Sequence, residues 1–262
     1  MLLRDIIDII ESAAPLSAQC EWDNSGLQIG HLDDDVTSVL LSTDVTEDIL
    51  REAIERHSQL IISHHPLFFH GLKTLQGHSP QQRITETAIR HGIAVYSSHT
   101  AMDMQPDGVS GYAASLIGLQ NRTILSPYGA ETGLGVIGNL PAKISFKHLL
   151  NTLSTVFKQP YIRYTLGASR DVEQIVQRIA FVGGAGAECI PDAIEHGADA
   201  FISADFRHHD FTDWADTIPL IDIGHFESEQ FTKDIFRRLL ESCPLTITDA
   251  TADVSPIKIL KI

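Results

Sequence analysis

Four apolar runs in this chain each hand a histidine or a carboxylate to the segment that follows, and this repeat narrows the possible folds more than any other feature. Gln59-Leu60-Ile61-Ile62-Ser63 leads into His64-His65-Pro66. Ala94 to Ser98 ends in His99, with Asp103 four residues on. Phe201 to Ala204 ends in Asp205. Pro219 to Ile223 ends in Gly224-His225, with Glu229 four residues on. Short apolar runs of this kind, bounded by turn formers, read as buried strands. In open α/β sheets, ligands gather beyond the carboxyl ends of the strands. The pattern predicts an α/β fold with one shared site rich in His, Asp and Glu.

Helical segments separate the runs. Thr46 to His57 has Thr46 as its cap and acids in its first turn. Pro80 to His91 has Ser79 as cap, Pro80 at its first position and Gly92 as its stop. Gly108–Gly118, Ser145–Lys158, Glu188–His196, His208–Ala215 and Glu227–Glu241 read as further helices. Val36–Thr43, Gly135–Gly138, Tyr161–Leu166 and Arg178–Gly183 read as further strands. Strands joined by helices imply right-handed crossovers and mainly parallel pairing. Over Leu125–Thr132 the composition shifts to Ser, Pro, Gly and Glu. A boundary there divides the chain into α/β halves 1–126 and 127–262, with strand-end ligands in both and the site expected between them.

Composition removes several function classes. Among 262 residues, 19 Lys and Arg face 34 Asp and Glu, a formal charge of −15, which argues against nucleic acid or an anionic membrane as partner. Cys20, Cys189 and Cys243 are far apart and form no Cys-x-x-Cys. This excludes a disulfide framework and a thiolate zinc site, and predicts buried free thiols in a reducing compartment. Arg4, Asp5, Asp8 and Glu11 interrupt the apolar residues of Met1–Pro15, so that stretch reads as an amphipathic helix, not a signal peptide. No run approaches the ~18 apolar residues of a membrane span. A cytoplasmic location is expected.

Just past a strand and before Pro66, the backbone turns, and the rings of His64 and His65 can diverge by a few ångströms. That geometry suits two metals with one histidine each; hydrogen-bonded turn histidines are the alternative. His225 and Glu229, four apart on a helix, share a face and can reach one metal site. Asp103 is placed to ligate directly. His99 either ligates or moves protons from beside the ligands. Mixed imidazole and carboxylate ligands suit zinc, iron, manganese or nickel. Gly183-Gly184-Ala185-Gly186, after a strand, reads either as a tight turn or as a loop whose Gly184 and Gly186 amides hold an anion at a helix start. Arg207 is a candidate anion contact and His209 a candidate proton carrier; solvated charges at a helix N-terminus are the alternative.

These motifs, in this order, resemble the Nif-three-like family, whose members are often called GTP cyclohydrolase 1 type 2 homologues. The resemblance runs nearly end to end. It includes Trp22-Asp23-Asn24-Ser25-Gly26-Leu27-Gln28-Ile29-Gly30, Asp44-Val45-Thr46, Ser63-His64-His65-Pro66, His99 to Asp103, and Gly224-His225-Phe226-Glu227-Ser228-Glu229. It implies two related α/β halves around a dinuclear centre holding two divalent metal ions per chain, and a ring-shaped homohexamer. Carried over residue by residue, the metal ligands are His64, His65, Asp103, His225 and Glu229, with Glu229 bridging and His99 close by. Ala101-Met102 stands where relatives have Asn two residues before the aspartate, and Arg207 where a Lys is common. The chain is too short for the extra middle domain that some relatives carry.

Two functions follow as expectations. One is a metal-dependent hydrolase of a small phosphorylated or nucleotide-like substrate, with His99 or His209 moving protons. The other is non-catalytic metal storage, delivery or regulation. An open coordination position separates them. Exposed Leu67, Phe68 and Phe69 are the candidate self-contacts.

Overall fold

A computed structural model describes residues 1–260 and shows a mixed α/β chain with two sheets. It divides into two compact units, Met1–Met102 together with the segment from Thr232 onward, and Asp103–Phe231.

The first unit opens with α1 (Leu3–Ala13), whose Leu3, Ile6, Ile7 and Ile10 are buried at helical spacing. Next come β1 (Gly26–Ile29), β2 (Ser38–Ser42), α2 (Glu47–Glu55), β3 (Leu60–Ser63), α3 (Pro80–His91), β4 (Ala94–Ser97) and the short α4 (Thr100–Asp103). The expected caps form. Thr46 and Ser79 accept from the amides of Ile49 and Gln82, each bond worth about 1 kcal/mol to its helix. Leu67 is buried in this unit's core and Phe68 packs against it; of the three expected surface contacts, Phe69 alone is largely exposed.

The second unit contains α5 (Val109–Leu116), β5 (Gln120–Pro127), β6 (Gly133–Ser145), α6 (Phe146–Val156), β7 (Arg163–Tyr164), β8 (Ile175–Ala185), α7 (Ile190–Glu195), β9 (Ala200–Ala204), α8 (His208–Trp214), β10 (Leu220–Asp222) and α9 (His225–Glu229). Its six-stranded sheet runs β5-β6-β8-β9-β10-β7. Alternate residues of β8 face opposite ways, as a strand requires. Ile179 and Phe181 join α6 residues in one core, while Ala180 and Val182 join α7 residues in another. β8, β9 and β10 pair in parallel; β5, β6 and β7 are antiparallel additions. The stretch of Ser, Pro, Gly and Glu proves to be the turn between the paired strands β5 and β6, which explains its composition.

The chain returns to the first unit through α10 (Thr232–Leu239) and β11 (Thr246–Asp249). The expected single helix Glu227–Glu241 is therefore two. α9 buries Ser228 and Glu229 in one unit, and α10 buries Thr232, Ile235 and Phe236 in the other. β11 completes the first sheet, order β1-β4-β3-β2-β11, parallel except for β1. Beyond β11, Asp253 accepts from the Thr43 amide and hydroxyl at 3.0 Å each and pairs with Lys233. The buried acid Glu52 of α2 holds the same segment through the amides of Thr251 and Ala252.

Cys189 is buried, whereas Cys20 and Cys243 are half-buried, because each sits in a turn and not in a strand or helix core. Burial, with Glu188 and Asp192 nearby, pushes the Cys189 thiol up to about 12, so it stays protonated and inert. No helix among the described residues is long and apolar enough to cross a membrane.

Candidate metal centre

Register builds the first cluster. Ser63 of β3 pairs with Ser97 of β4, and Ser42 of β2 with Ser63. The residues immediately beyond, Thr43-Asp44, His64-His65 and Ser98-His99, therefore emerge side by side. The His64 and His65 amides continue the ladder to Ser42 and Thr43, and Ser98 continues it to Ser63. The three imidazoles gather. Ring centroids of His64 and His65 lie 4.9 Å apart, and His99 stands 5.1 Å from one and 5.3 Å from the other. Each ring offers a nitrogen, and these nitrogens all lie within 4.8 Å of one another.

The other nitrogen of each ring is held. His64 Nδ1 meets the Ser98 carbonyl at 3.1 Å, His65 Nδ1 meets Asp44 Oδ1 at 2.8 Å, and His99 Nδ1 meets Asp23 Oδ1 at 2.8 Å. A carbonyl or a carboxylate can only accept, so each Nδ1 carries the proton and each Nε2 carries the lone pair. Imidazole needs this tautomer to ligate through Nε2. Asp23 is itself firmly ionised. Burial favours its protonated form, but bonds from His99, Thr100 and the Asn24 amide outweigh burial and hold it far below the usual carboxylate range.

The second unit carries the same device. Asp222 of β10 pairs with Ser203 of β9, and the chain beyond turns into α9 at Gly224. His225 Nδ1 meets Asp205 Oδ2 at 2.7 Å, while His225 Nε2 lies 3.1 Å from Glu229 Oε2, one turn along α9. The two share a helix face, and Glu229 is almost wholly buried. Gly184 supplies the space. Its φ is +64°, and a Cβ there would run into Glu229 Oε1.

The glycine segment joins a strand to a helix, as the tight-turn reading has it, but most of it belongs to the strand: Gly183, Gly184 and Ala185 end β8, and Gly186 opens the short 3-10 helix Ala187–Cys189. The Gly183 amide donates to Ser110 Oγ at 3.0 Å and the Gly184 amide to Ser228 Oγ at 2.9 Å, so both are engaged within the unit. Gly186 lies against Val182 and Ser203. Arg207 and His209 are exposed at the start of α8. The Arg207 amide is capped by Asp210, and the His209 ring faces His208. Asp103 ends the short helix α4 and is half-buried.

The sequence concealed the orienting part of Asp23 and Asp44. Asp44 stands just past a strand end, as Asp205 and the histidines do, which is the signal that could have found it.

A family model described as Duf34/NIF3 (NGG1p interacting factor 3) matches residues 1–256. A GTP cyclohydrolase 1 type 2 homolog of Streptococcus pneumoniae is 33% identical over 236 residues, covering 90% of this chain and 89% of its own. Another from Clostridium perfringens is 32% identical over 232 residues, 87% of each chain. The crystal structure of Staphylococcus aureus protein SA1388 superposes with a TM-score of 0.90 at 26% identity, covering 99% of both chains.

Proposed function

The chain belongs to the Duf34/NIF3 family, and on that premise we propose that it binds two divalent metal ions and uses them to hydrolyse a small molecule. The proposed ligands are His64, His65, Asp103, His225 and Glu229, with Glu229 bridging. The observation that carries the reading is the treatment of four histidines. His64, His65, His99 and His225 each give Nδ1 to a carbonyl or carboxylate, which turns Nε2 to the site as the ligating atom of His64, His65 and His225 and as the proton-carrying atom of His99. His196, just past α7, also gives Nδ1 to a carbonyl, so the reading rests on the gathering of the His64, His65 and His99 rings together with their orientation. The donor set, imidazole with carboxylate and no thiolate, fits zinc, iron, manganese or nickel.

A bound metal pair would supply Lewis-acid polarisation and an acidified water. The protein's own contribution falls to His99. Asp23 fixes its tautomer and ring orientation, so His99 presents Nε2 as the atom that would take up a proton and return it. With the Gly183 and Gly184 amides engaged, a phosphate on the substrate would have Arg207 as its remaining proposed contact. The name borne by the bacterial relatives suggests a purine ring opening, a narrower version of the same chemistry. The homohexamer remains part of the proposal.

Elemental analysis is the test. The wild type should carry about two divalent ions per chain. Glu229→Ala should lose most of both, because one residue holds the pair. Full metal content in that variant would remove the bridging role. Light scattering that shows a stable monomer at micromolar concentration would remove the hexamer.

A further inference from the structure

Beside His99 the first unit keeps a pocket of about 460 Å³ lined by Asp23, Asn24, Phe68, Phe69, His70, Gly71 and Leu72. Two large aromatic side chains stay in solvent at a cost in hydration, Phe69 in the pocket wall and Trp22 next in the chain to its Asp23. Trp22 is 64% exposed and Phe69 45%. Both rings meet the same imidazole edge to face, with centroids 5.8 Å and 5.6 Å from that of His99. Exposed aromatics beside a polar functional group mark ligand sites, because the ligand completes the stack that water cannot.

The polar lining limits what can enter. Both Asp23 oxygens are already engaged, by His99 and the Asn24 amide on one side and by Ser25 and Thr100 on the other. Asn24 donates its Nδ2 to Phe68 O and Gln28 Oε1, which leaves Oδ1 as the acceptor it can offer. No Lys or Arg lines the pocket; Asp23 and His70 are its titratable residues. A wall with a carboxylate and no fixed cation favours an uncharged ring over a phosphate.

We infer that this pocket recognises an uncharged planar nitrogen heterocycle, stacked on Trp22 and Phe69 and hydrogen-bonded to Asn24 Oδ1, and that phosphate plays no part in its binding. The inference rests on the reading of His99 as part of the functional site. It narrows the substrate from phosphorylated compounds to free bases, nucleosides or similar cyclic amides.

The experiment titrates the full-length, metal-analysed protein with adenosine, adenosine 5′-monophosphate and ribose, followed by calorimetry and tryptophan fluorescence. Adenosine should bind saturably and quench fluorescence, the monophosphate should bind no more tightly, and ribose should not bind. Trp22→Phe should lose the quenching yet keep binding. Trp22→Ala and Phe69→Ala should each weaken adenosine about tenfold, as expected for loss of a stacking ring. Absence of adenosine binding, equal binding of ribose, or unchanged affinity in both alanine variants would overturn the inference. Tighter binding of the monophosphate would overturn the exclusion of phosphate. A protein that binds adenosine but holds no metal would sink the metal reading and leave this one standing.

Discussion

Asp23 and His99, 76 residues apart in the chain, are joined by a 2.8 Å bond between a fully buried carboxylate oxygen and an imidazole Nδ1. The same carboxylate receives the Thr100 amide and hydroxyl and the Ser25 hydroxyl. One acid therefore positions the ring and closes the turn that carries it.

Replacing Asp23 with Asn keeps an acceptor but removes the charge. Orienting partners of this kind typically contribute 10–100-fold to metal affinity or activity. Asp23→Asn should lose roughly that factor in chelator competition, with little change in fold by circular dichroism. Unaltered affinity and turnover together would show that the bond is structural only.

Gly184 offers a paired comparison. Gly184 and Gly197 both have positive φ, +64° and +69°, but a Cβ at Gly197 meets open space while one at Gly184 meets Glu229. An alanine at either position costs roughly 1–2 kcal/mol from the left-handed backbone alone. Gly184→Ala should cost about 1–3 kcal/mol more, the usual range for overpacking, and should also shed metal. Equal urea midpoints for the two variants would show that Glu229 yields without penalty.

Glu52 sets an acid limit on the first unit. Burial raises its carboxyl, but the amides of Thr251 and Ala252 and the Arg56 guanidinium overcome that and lower it from 4.5 to about 2. A carboxyl depressed in the folded state stabilises above its unfolded value and loses that contribution as pH falls through the folded one. Stability should therefore drop by roughly 1–3 kcal/mol, allowing for solvent screening, between pH 4.5 and about 2. Urea unfolding of metal-free protein across that range should show a shallower fall in Glu52→Gln. Parallel pH profiles for the two proteins would assign the acid loss to other groups.

The strand ends were legible because a buried parallel strand must be apolar throughout, and the residue that breaks the run is then conspicuous. His64, His65, His99 and His225 all stood out in this way. Asp205 stood out with them, but Asp23 and Asp44 did not, since Asp23 is set by β1 pairing with β4 and Asp44 by the register of β2, facts of tertiary structure. The turn after β5 looked like a boundary because hairpin turns and linkers draw on the same residues. The break between α9 and α10 was hidden because Gln230 and Phe231 carry no helix-stopping signal. The glycines after Val182 suggested a phosphate loop, while their actual constraint is the bulk of Glu229, 45 positions further on.

The tie between Asp253 and Thr43 also has a consequence for synthesis. Thr43 leads directly into Asp44, which holds His65, and Asp253 is made long after both. While the ribosome is still translating, β2 lacks its neighbour β11 and the turn that aims His65 lacks its anchor. The first unit, begun earliest, is finished last. The His64–His65–His99 cluster thereby takes its final aim only at the end of translation, and a chain that stops before Thr246 lacks the anchor of the turn that carries His65.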